Sequence, residues 1–440
     1  MKKTKSKPKI LFSFCFVFLI LTAATTASLT VDAAPPSALV SPALRVLAEE
    51  NGMAMAGMRG GQIRLDREDF ARAMNLSGVN EITITKVPPI TDGELRVGST
   101  VVTGTQTVSG SNLDLLTYTP SDADVSASSF RFSVGSSAVE ITCSLYLLDQ
   151  VNHAPTLSMV PETLLNVSTH KNITLYGTLP CHDPDGDATV IEIVSYPKSG
   201  ILLLTDRTTG DYSFTPGTGY AGKDSFTYVA RDRYGNYSAS ATVSLSVVKP
   251  STSVVYSDLQ DSPAHNAALT MTEEGIMSGT QVGNHTYFYP DQQVSRGEFV
   301  VMAMHAMGMT EVTDTPRSVF VDDKDIPEQM RGYITTAYQL GYVSGERDSE
   351  GALCFSPHRA ITRAEASVIL GKMLNAATPT VTPVFSDSEE IPAWAAPSLY
   401  SLNAMGVMTA TNGEISPMDP MTRGDTACIL TAVMQVREGK

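Results

Sequence analysis

The chain has few of the residues that staple a protein together or sink it into a membrane. Its 440 residues include five cysteines and one tryptophan, which excludes a dense disulfide scaffold. Beyond about residue 24 no apolar run approaches the ~20 residues that a membrane-spanning helix needs. Basic residues are in deficit, 31 against 46 acidic ones, which disfavours nucleic acid and anionic membrane surfaces as partners. None of the seven histidines falls in a metal-spaced pair, and neither a nucleophile elbow nor a phosphate loop occurs. No linear pattern of catalysis is present, and an enzyme is not expected.

What is present begins with a targeting pattern. Lys2, Lys3, Lys5, Lys7 and Lys9 precede an apolar run from Ile10 to about Ala24. This is the layout of a signal peptide over residues 1–33, with small-residue cleavage patterns ending at Ala27 or Ala33. An uncleaved N-terminal anchor is the alternative, and either puts the bulk of the chain outside the cytoplasm. Removing residues 1–33 leaves 26 basic against 45 acidic residues, a net charge of −19. The C-terminal "VMQVREGK" carries no hydrophobic tail, so no membrane contact is expected after cleavage. Cys143, Cys181, Cys354 and Cys428 remain and allow three pairings. Cys143 with Cys181 is a candidate bridge; unpaired small apolar residues is the preferred reading for all four.

Ahead of the first domain, residues 34–59 read as a short helical segment that includes "SPALRVLAEENG". From Gly60 to Val248 the style is Thr, Ser, Val and Tyr in short alternating runs such as "EITITKV" and "ATVSLSVV", punctuated by Gly, Pro, Asp and Asn. That pattern predicts β-sandwiches. Gly93-Glu-Leu95 answers Gly200-Ile-Leu202, and Tyr118-Thr-Pro120 answers Phe214-Thr-Pro216. In both copies an aromatic follows that proline ten residues later, Phe130 and Phe226. Two copies of one β-domain are expected, over 60–150 and 151–250, joined at "NHAPTL".

After "VVKPSTS" the alternation gives way to helical periodicity, and one phrase recurs: "VSRGEFVVMAM" (294–304), "ITRAEASVILG" (361–371) and "MTRGDTACILT" (421–431). Upstream of each stands an aromatic-x-Asp, ending at Asp258, Asp322 and Asp387, with a proline five residues on. A Gly-led turn follows at Gly275, Gly341 and Gly406, then Pro290, Pro357 and Pro417, each six residues before an arginine. So many matching offsets define three repeats, 252–315, 316–379 and 380–440. Ser295, Thr362 and Thr422 stand at N-cap positions, with Glu298, Glu365 or Asp425 three residues on, a capping box in two copies and a close relative in the third. Behind them run apolar stripes, such as Ala366, Ile369, Leu370, Met373 and Leu374, that bury one helix face.

Arg296, Arg363 and Arg423 then fall at the first helical position, where a cation opposes the helix macrodipole. Two readings stay open from spacing alone. Each arginine pairs with a neighbouring acid such as the aromatic-x-Asp, or it joins the free N–H groups of the first turn in an anion site.

The combination of aromatic-x-Asp, Gly-led turn, F-x-P and [ST]-R-[AG]-E resembles the S-layer homology domain, three copies of which would cover residues 252–440. The resemblance implies an all-α, three-pronged pseudo-trimer that anchors exported bacterial proteins to a secondary cell wall polysaccharide carrying ketal-linked pyruvate. Carried over by motif, Arg296, Arg363 and Arg423 would contact the polymer, with Asp258, Asp322 and Asp387 as supporting groove residues. "GIMSG" and "GYVSG" contribute Gly279 and Gly345, whereas the third copy has Ala410. The early aromatic of the motif is present only as Trp394; His265 and Gln329 hold the corresponding places. Three unequal grooves are therefore expected.

"CHDPDGDATV" brings Asp183, Asp185 and Asp187 within five residues. An EF-hand loop is excluded, because the twelfth position counted from Asp183 is Val194 rather than Glu. With "NHAPT" and "GKDSFTYVARDRYGN", the stretch resembles bacterial cadherin-like or Ig-like surface repeats. There, acidic turns near a domain joint can bind Ca²⁺, with Asp232 as a further ligand; a solvated Asp-Gly turn is the alternative. The whole reads as tandem β-sandwiches followed by an α-helical anchor. It would be a non-enzymatic surface protein that displays its β-domains and contacts wall polysaccharide and other surface-layer subunits. The competing expectation is a surface enzyme or carbohydrate-binding module in residues 37–148.

Overall fold

The computed structural model describes residues 52–439 apart from 75, 136, 138, 158–159, 312–316, 381 and 412. The signal peptide and the helix expected in "SPALRVLAEENG" lie outside the described residues, except for Gly52.

The first sandwich starts earlier than the sequence suggests. Met53–Met58, read as part of a helical segment, is strand β1. Met and Ala favour helix in isolation. Here the segment pairs in parallel with β9 (Ile141–Leu148), Met53 opposite Cys143 and Met58 opposite Leu148, so pairing to an open sheet edge overrides local propensity. Then follow β2 (Ile63–Leu65), the capped helix α1 (Arg67–Ala73), β3 (Glu81–Lys86), β4 (Gly93–Val97), β5 (Thr100–Val101), β6 (Gln106–Ser109), β7 (Leu116–Pro120) and β8 (Ala127–Val134). They form two facing sheets, β1-β9-β8-β3-β6 and β2-β7-β4-β5.

After one helical turn, α2 (Glu162–Leu165), the second copy repeats the plan. Its strands are β10 (Asn166–His170), β11 (Leu175–Thr178), β12 (Thr189–Ser195), β13 (Gly200–Leu204), β14 (Asp211–Pro216), β15 (Gly222–Asp232) and β16 (Ala241–Val248). The sheets are β10-β16-β15-β12 and β11-β14-β13, and β10 again runs parallel to the last strand. The repeated residues hold the same register. Gly93 faces Pro120 and Leu95 faces Tyr118; Gly200 faces Pro216 and Leu202 faces Phe214. Phe130 and Phe226 are buried in the two cores. Two sheets need matching inward-facing residues, and this need explains the conserved offsets between the copies. Among the described residues the four cysteines are free thiols: Cys143 lies in the first core, and the Cys181 sulfur meets the Thr189 hydroxyl at 3.0 Å.

The C-terminal region is helical. Its elements are α3 (His265–Glu273), a hairpin β17 (Thr280–Val282) and β18 (His285–Tyr287), α4 (Arg296–Ala306), α5 (Glu328–Gln339), a short pair β19 (Glu346–Arg347) and β20 (Leu353–Cys354), α6 (Arg363–Leu374), α7 (Ala396–Ala404) and α8 (Arg423–Glu438). The first helix of each repeat ends at a glycine with positive φ, Gly275 (+68°), Gly341 (+76°) and Gly406 (+69°), a conformation that side-chain-bearing residues resist. Helices pair across repeats: α4 packs on α5, α6 on α7, and α8 returns to α3. One continuous core results, closed around a pseudo-threefold axis.

The second sandwich docks on this bundle. His170, at the end of β10, is buried, with Nδ1 2.7 Å from Asn266 Oδ1 and Nε2 3.0 Å from a Glu273 oxygen. Asn266 Nδ2 donates to the Ser168 carbonyl, and the Thr163 hydroxyl donates to the carbonyl of Met405. His170→Ala leaves Glu273 and Asn266 without this partner, at a cost of about 1–3 kcal/mol. A lower unfolding midpoint and faster proteolysis of the 249–253 linker are expected, read by calorimetry and limited digestion.

Candidate functional site

Each arginine stands at a helix start closed by a full capping box. Ser295 and Glu298, Thr362 and Glu365, and Thr422 and Asp425 all bond reciprocally, so aspartate completes the box in the third repeat. The N–H groups expected to be free for an anion are not free. Arg296 N donates to Arg359 O and Gly297 N to Pro357 O; Arg363 N donates to Asp419 O and Ala364 N to Pro417 O; Arg423 N donates to Gln292 O and Gly424 N to Pro290 O. Each helix start is thus sealed by carbonyls from the F-x-P loop of the next repeat.

The side chains make the same crossing. Arg363 Nε donates to Ile415 O at 2.8 Å and Nη2 to Thr409 O at 3.2 Å. Arg423 Nε donates to Phe288 O and Nη2 to Ser278 O, both at 2.8 Å, with its guanidinium 4.7 Å from the Phe288 ring centroid. Arg296 lies 5.2 Å from the Phe355 ring centroid and is only 6% exposed, with Nε buried and unpartnered. Carbonyl dipoles and aromatic faces supply the negative potential that offsets the macrodipole at these positions. Burial pushes all three guanidiniums below the ordinary arginine value, opposed for Arg363 by the charges of Asp425, Asp419 and Asp387.

The aspartates do something else. Asp258 accepts from Phe288 N and Tyr289 N, Asp322 from Phe355 N and Ser356 N, and Asp387 from Ile415 N and Ser416 N. The second residue of each pair has positive φ: Tyr289 +57°, Ser356 +61° and Ser416 +48°. Each carboxylate therefore stabilises a strained turn by charge-assisted bonds. Among the described residues, no ion pair joins these aspartates to the three arginines, so the pairing read as one option from spacing is not formed. Gly279 and Gly345 are packing residues. A Cβ at either would stand 2.4 Å or 2.7 Å from the ring of Tyr256 or Phe320. Trp394 is 57% exposed.

What the grooves add is legible only in three dimensions. Arg359, two residues after Pro357, binds Glu346 at 2.7 Å and Glu365 at 2.7 and 3.0 Å. The equivalent places hold Gln292 and Asp419. A cavity of about 440 Å³ around Arg363 is lined by Asp291, Glu414, Asp419 and Asp425 among others. A second, of about 370 Å³, is lined by Asp258, Tyr287, Tyr289, Pro290, Asp291 and Gln292. The x of F-x-P is the sequence signal that marks Tyr289.

In the second sandwich the ligand oxygens of Asp183, Asp185 and Asp187 lie within 4.8 Å of one another. Asp183 is 8% exposed; its Oδ1 accepts from Asp185 N and Asp187 N, and its Oδ2 is buried without a partner. Asp185 accepts from His153 N, which holds its carboxyl below the usual range. Asp187 is pushed up by burial and then by Asp183, Asp232 and Asp185. The oxygens of Asp232 are engaged by Tyr234 N, Asn236 N, Asn236 Nδ2 and Asn152 Nδ2. Its four donors tie the 232–236 turn to Asn152 at the joint.

Asp322→Ala should destabilise the chain by about 2 kcal/mol through loss of the turn acceptors, whereas Trp394→Ala should leave the melting curve within about 0.5 kcal/mol. Calorimetry of both variants checks the contrast.

No curated protein matches the chain. Among solved structures it is similar to an endo-fucoidan hydrolase of glycoside hydrolase family 107, with 16% identity, 47% of this chain and 29% of that chain covered, and a TM-score of 0.20. The chain thus spans less than a third of that hydrolase. It is also similar to the Clostridium thermocellum CbhA fibronectin(III)-like modules (16% identity, 45% and 91% covered, TM-score 0.20) and to human CDH23 EC21-23 (13%, 45% and 69%, 0.19). At these scores the likenesses carry no argument. The family models do. Residues 152–246 match the Bacterial Ig domain, and residues 255–300, 319–367 and 384–427 match the S-layer homology domain. Both are structural modules rather than catalytic ones, and among the described residues no helix is long and apolar enough to cross a membrane. From residue 152 onward the chain is built as an Ig-like domain followed by three S-layer homology repeats.

Proposed function

We propose that the inter-repeat grooves bind a pyruvylated secondary cell wall polysaccharide, with Arg296, Arg363 and Arg423 meeting its ketal carboxylates. The observation that carries this reading is a guanidinium at each groove whose hydrogen-bond capacity is only partly taken up. Five N–H donors are available on arginine, and Arg363 and Arg423 each give two nitrogens to carbonyls. The remaining donors suit a carboxylate. Because the chain is acidic overall, recognition rests on these short-range contacts rather than long-range attraction, within a screening length of about 8–10 Å. The β-domains are displayed from the wall.

The test is a pull-down of the full chain with purified walls. Binding to polymer-bearing walls and none to walls stripped of secondary polymer is expected; equal binding to both refutes the reading.

A second reading, for Ca²⁺ at the β-domain joint, is favoured by the orphaned buried oxygen of Asp183. Asp183, Asp185 and Asp187 supply the hard oxygen ligands that the ion prefers, and the ion would relieve their mutual repulsion. Bound calcium stabilises the folded chain by RT ln(1 + [L]/Kd), about 2.7 kcal/mol at a hundredfold excess over Kd. A rise in the melting temperature of the full chain with millimolar calcium is expected, reduced in Asp185→Asn; an unchanged curve refutes the site.

A further inference from the structure

The three grooves differ at matching positions. The residues flanking the F-x-P phenylalanine, or the isoleucine that replaces it in the third repeat, are Tyr287 and Tyr289, Cys354 and Ser356, and Glu414 and Ser416. Only the first repeat has aromatics there. Tyr287 and Tyr289 stack with centroids 5.7 Å apart and planes at 19°. Tyr289 is 41% exposed and holds φ +57°, a region unfavourable for a bulky side chain and occupied by serine in the other two repeats. Arg423 bonds the carbonyl of Phe288, the residue between the two tyrosines, and the 370 Å³ cavity opens at this wall.

The other grooves are less suited to an acidic sugar. Around Arg363 stand four carboxylates, Asp291, Glu414, Asp419 and Asp425, against two, Asp258 and Asp291, at the tyrosine-lined cavity, and like charge disfavours an anionic ligand. At Arg296 the Glu346–Arg359–Glu365 bridge takes up the charges beside an arginine that is already 6% exposed.

We propose that the groove between the third and first repeats is the principal polysaccharide site. The C–H face of a pyranose ring packs on the Tyr287–Tyr289 pair while its acidic substituent meets the remaining donors of Arg423. This rests on the wall-polymer reading above and adds which groove and which side chains select the ligand. Tyr287 and Tyr289 are the specificity-determining residues.

The experiment is a binding isotherm of the full chain on polymer-bearing walls, with a melting curve for every variant. Tyr289→Ser is compatible with the fold, because serine holds this position in both other repeats. It should weaken binding at least fivefold, Tyr289→Phe should stay within twofold of the native chain, and Arg363→Gln should lose less than Tyr289→Ser does. The proposal is overturned if Tyr289→Ser binds like the native chain, or if a folded Arg363→Gln loses as much as Tyr289→Ser. If the native chain itself fails to prefer polymer-bearing over stripped walls, the wall-polymer reading falls, and this inference with it.

Discussion

Three backbone hydrogen bonds at the centre of the bundle set the geometry of everything around them. Val294 N–H donates to Met421 O at 2.9 Å, Met421 N–H to Ile361 O at 2.8 Å, and Ile361 N–H to Val294 O at 3.2 Å. All three side chains are buried, so the bonds lie in a medium where an unmade one would leave a costly unsatisfied group. Each residue immediately precedes an N-cap. The ring therefore aims three helix starts outward at once, and each arginine leaves its own repeat and enters the loop of the next. No single repeat contains a whole groove; each groove exists only in the closed ring of three.

That crossing resolves the puzzle of a cation at a helix N-terminus. The first-turn N–H groups are sealed by carbonyls of the neighbouring loop; the guanidiniums of Arg363 and Arg423 are held by further carbonyls, and those of Arg296 and Arg423 lie over Phe355 and Phe288. The aspartates of the aromatic-x-Asp motif keep those loops in shape by accepting two N–H bonds beside a residue of positive φ. In the proposed binding mode, recognition falls to guanidinium edges and to the groove walls, where the three repeats diverge: tyrosines in one, carboxylates in another, an internal ion-pair bridge in the third.

The β region obeys a simpler constraint. Two sheets must present complementary inner faces, and the Gly–Pro and Leu–aromatic pairs recur in the same register in both copies. The second sandwich is then tied to the bundle through His170, Asn266, Glu273 and Thr163, so the display domain and the anchor share a defined interface.

Sequence alone determined much of this. The turn from period two to helical periodicity, the matched offsets at Gly, Pro and aromatics, and the Ser/Thr-x-x-acid caps are local signals whose physics acts within a few residues, and they located the sandwiches, the repeats and the arginine-led helix starts. It misplaced Met53–Met58, because a helix-favouring string was claimed by a sheet edge some 90 residues away along the chain. It left the arginines between an acid and an anion without showing the carbonyls of the next repeat that hold Arg363 and Arg423, and it did not show the four donors that engage Asp232. Those outcomes depend on which distant carbonyl, ring or carboxylate arrives at a given side chain. Only closure of the ring, which brings residue 423 to residue 288 and residue 363 to residue 415, could decide them.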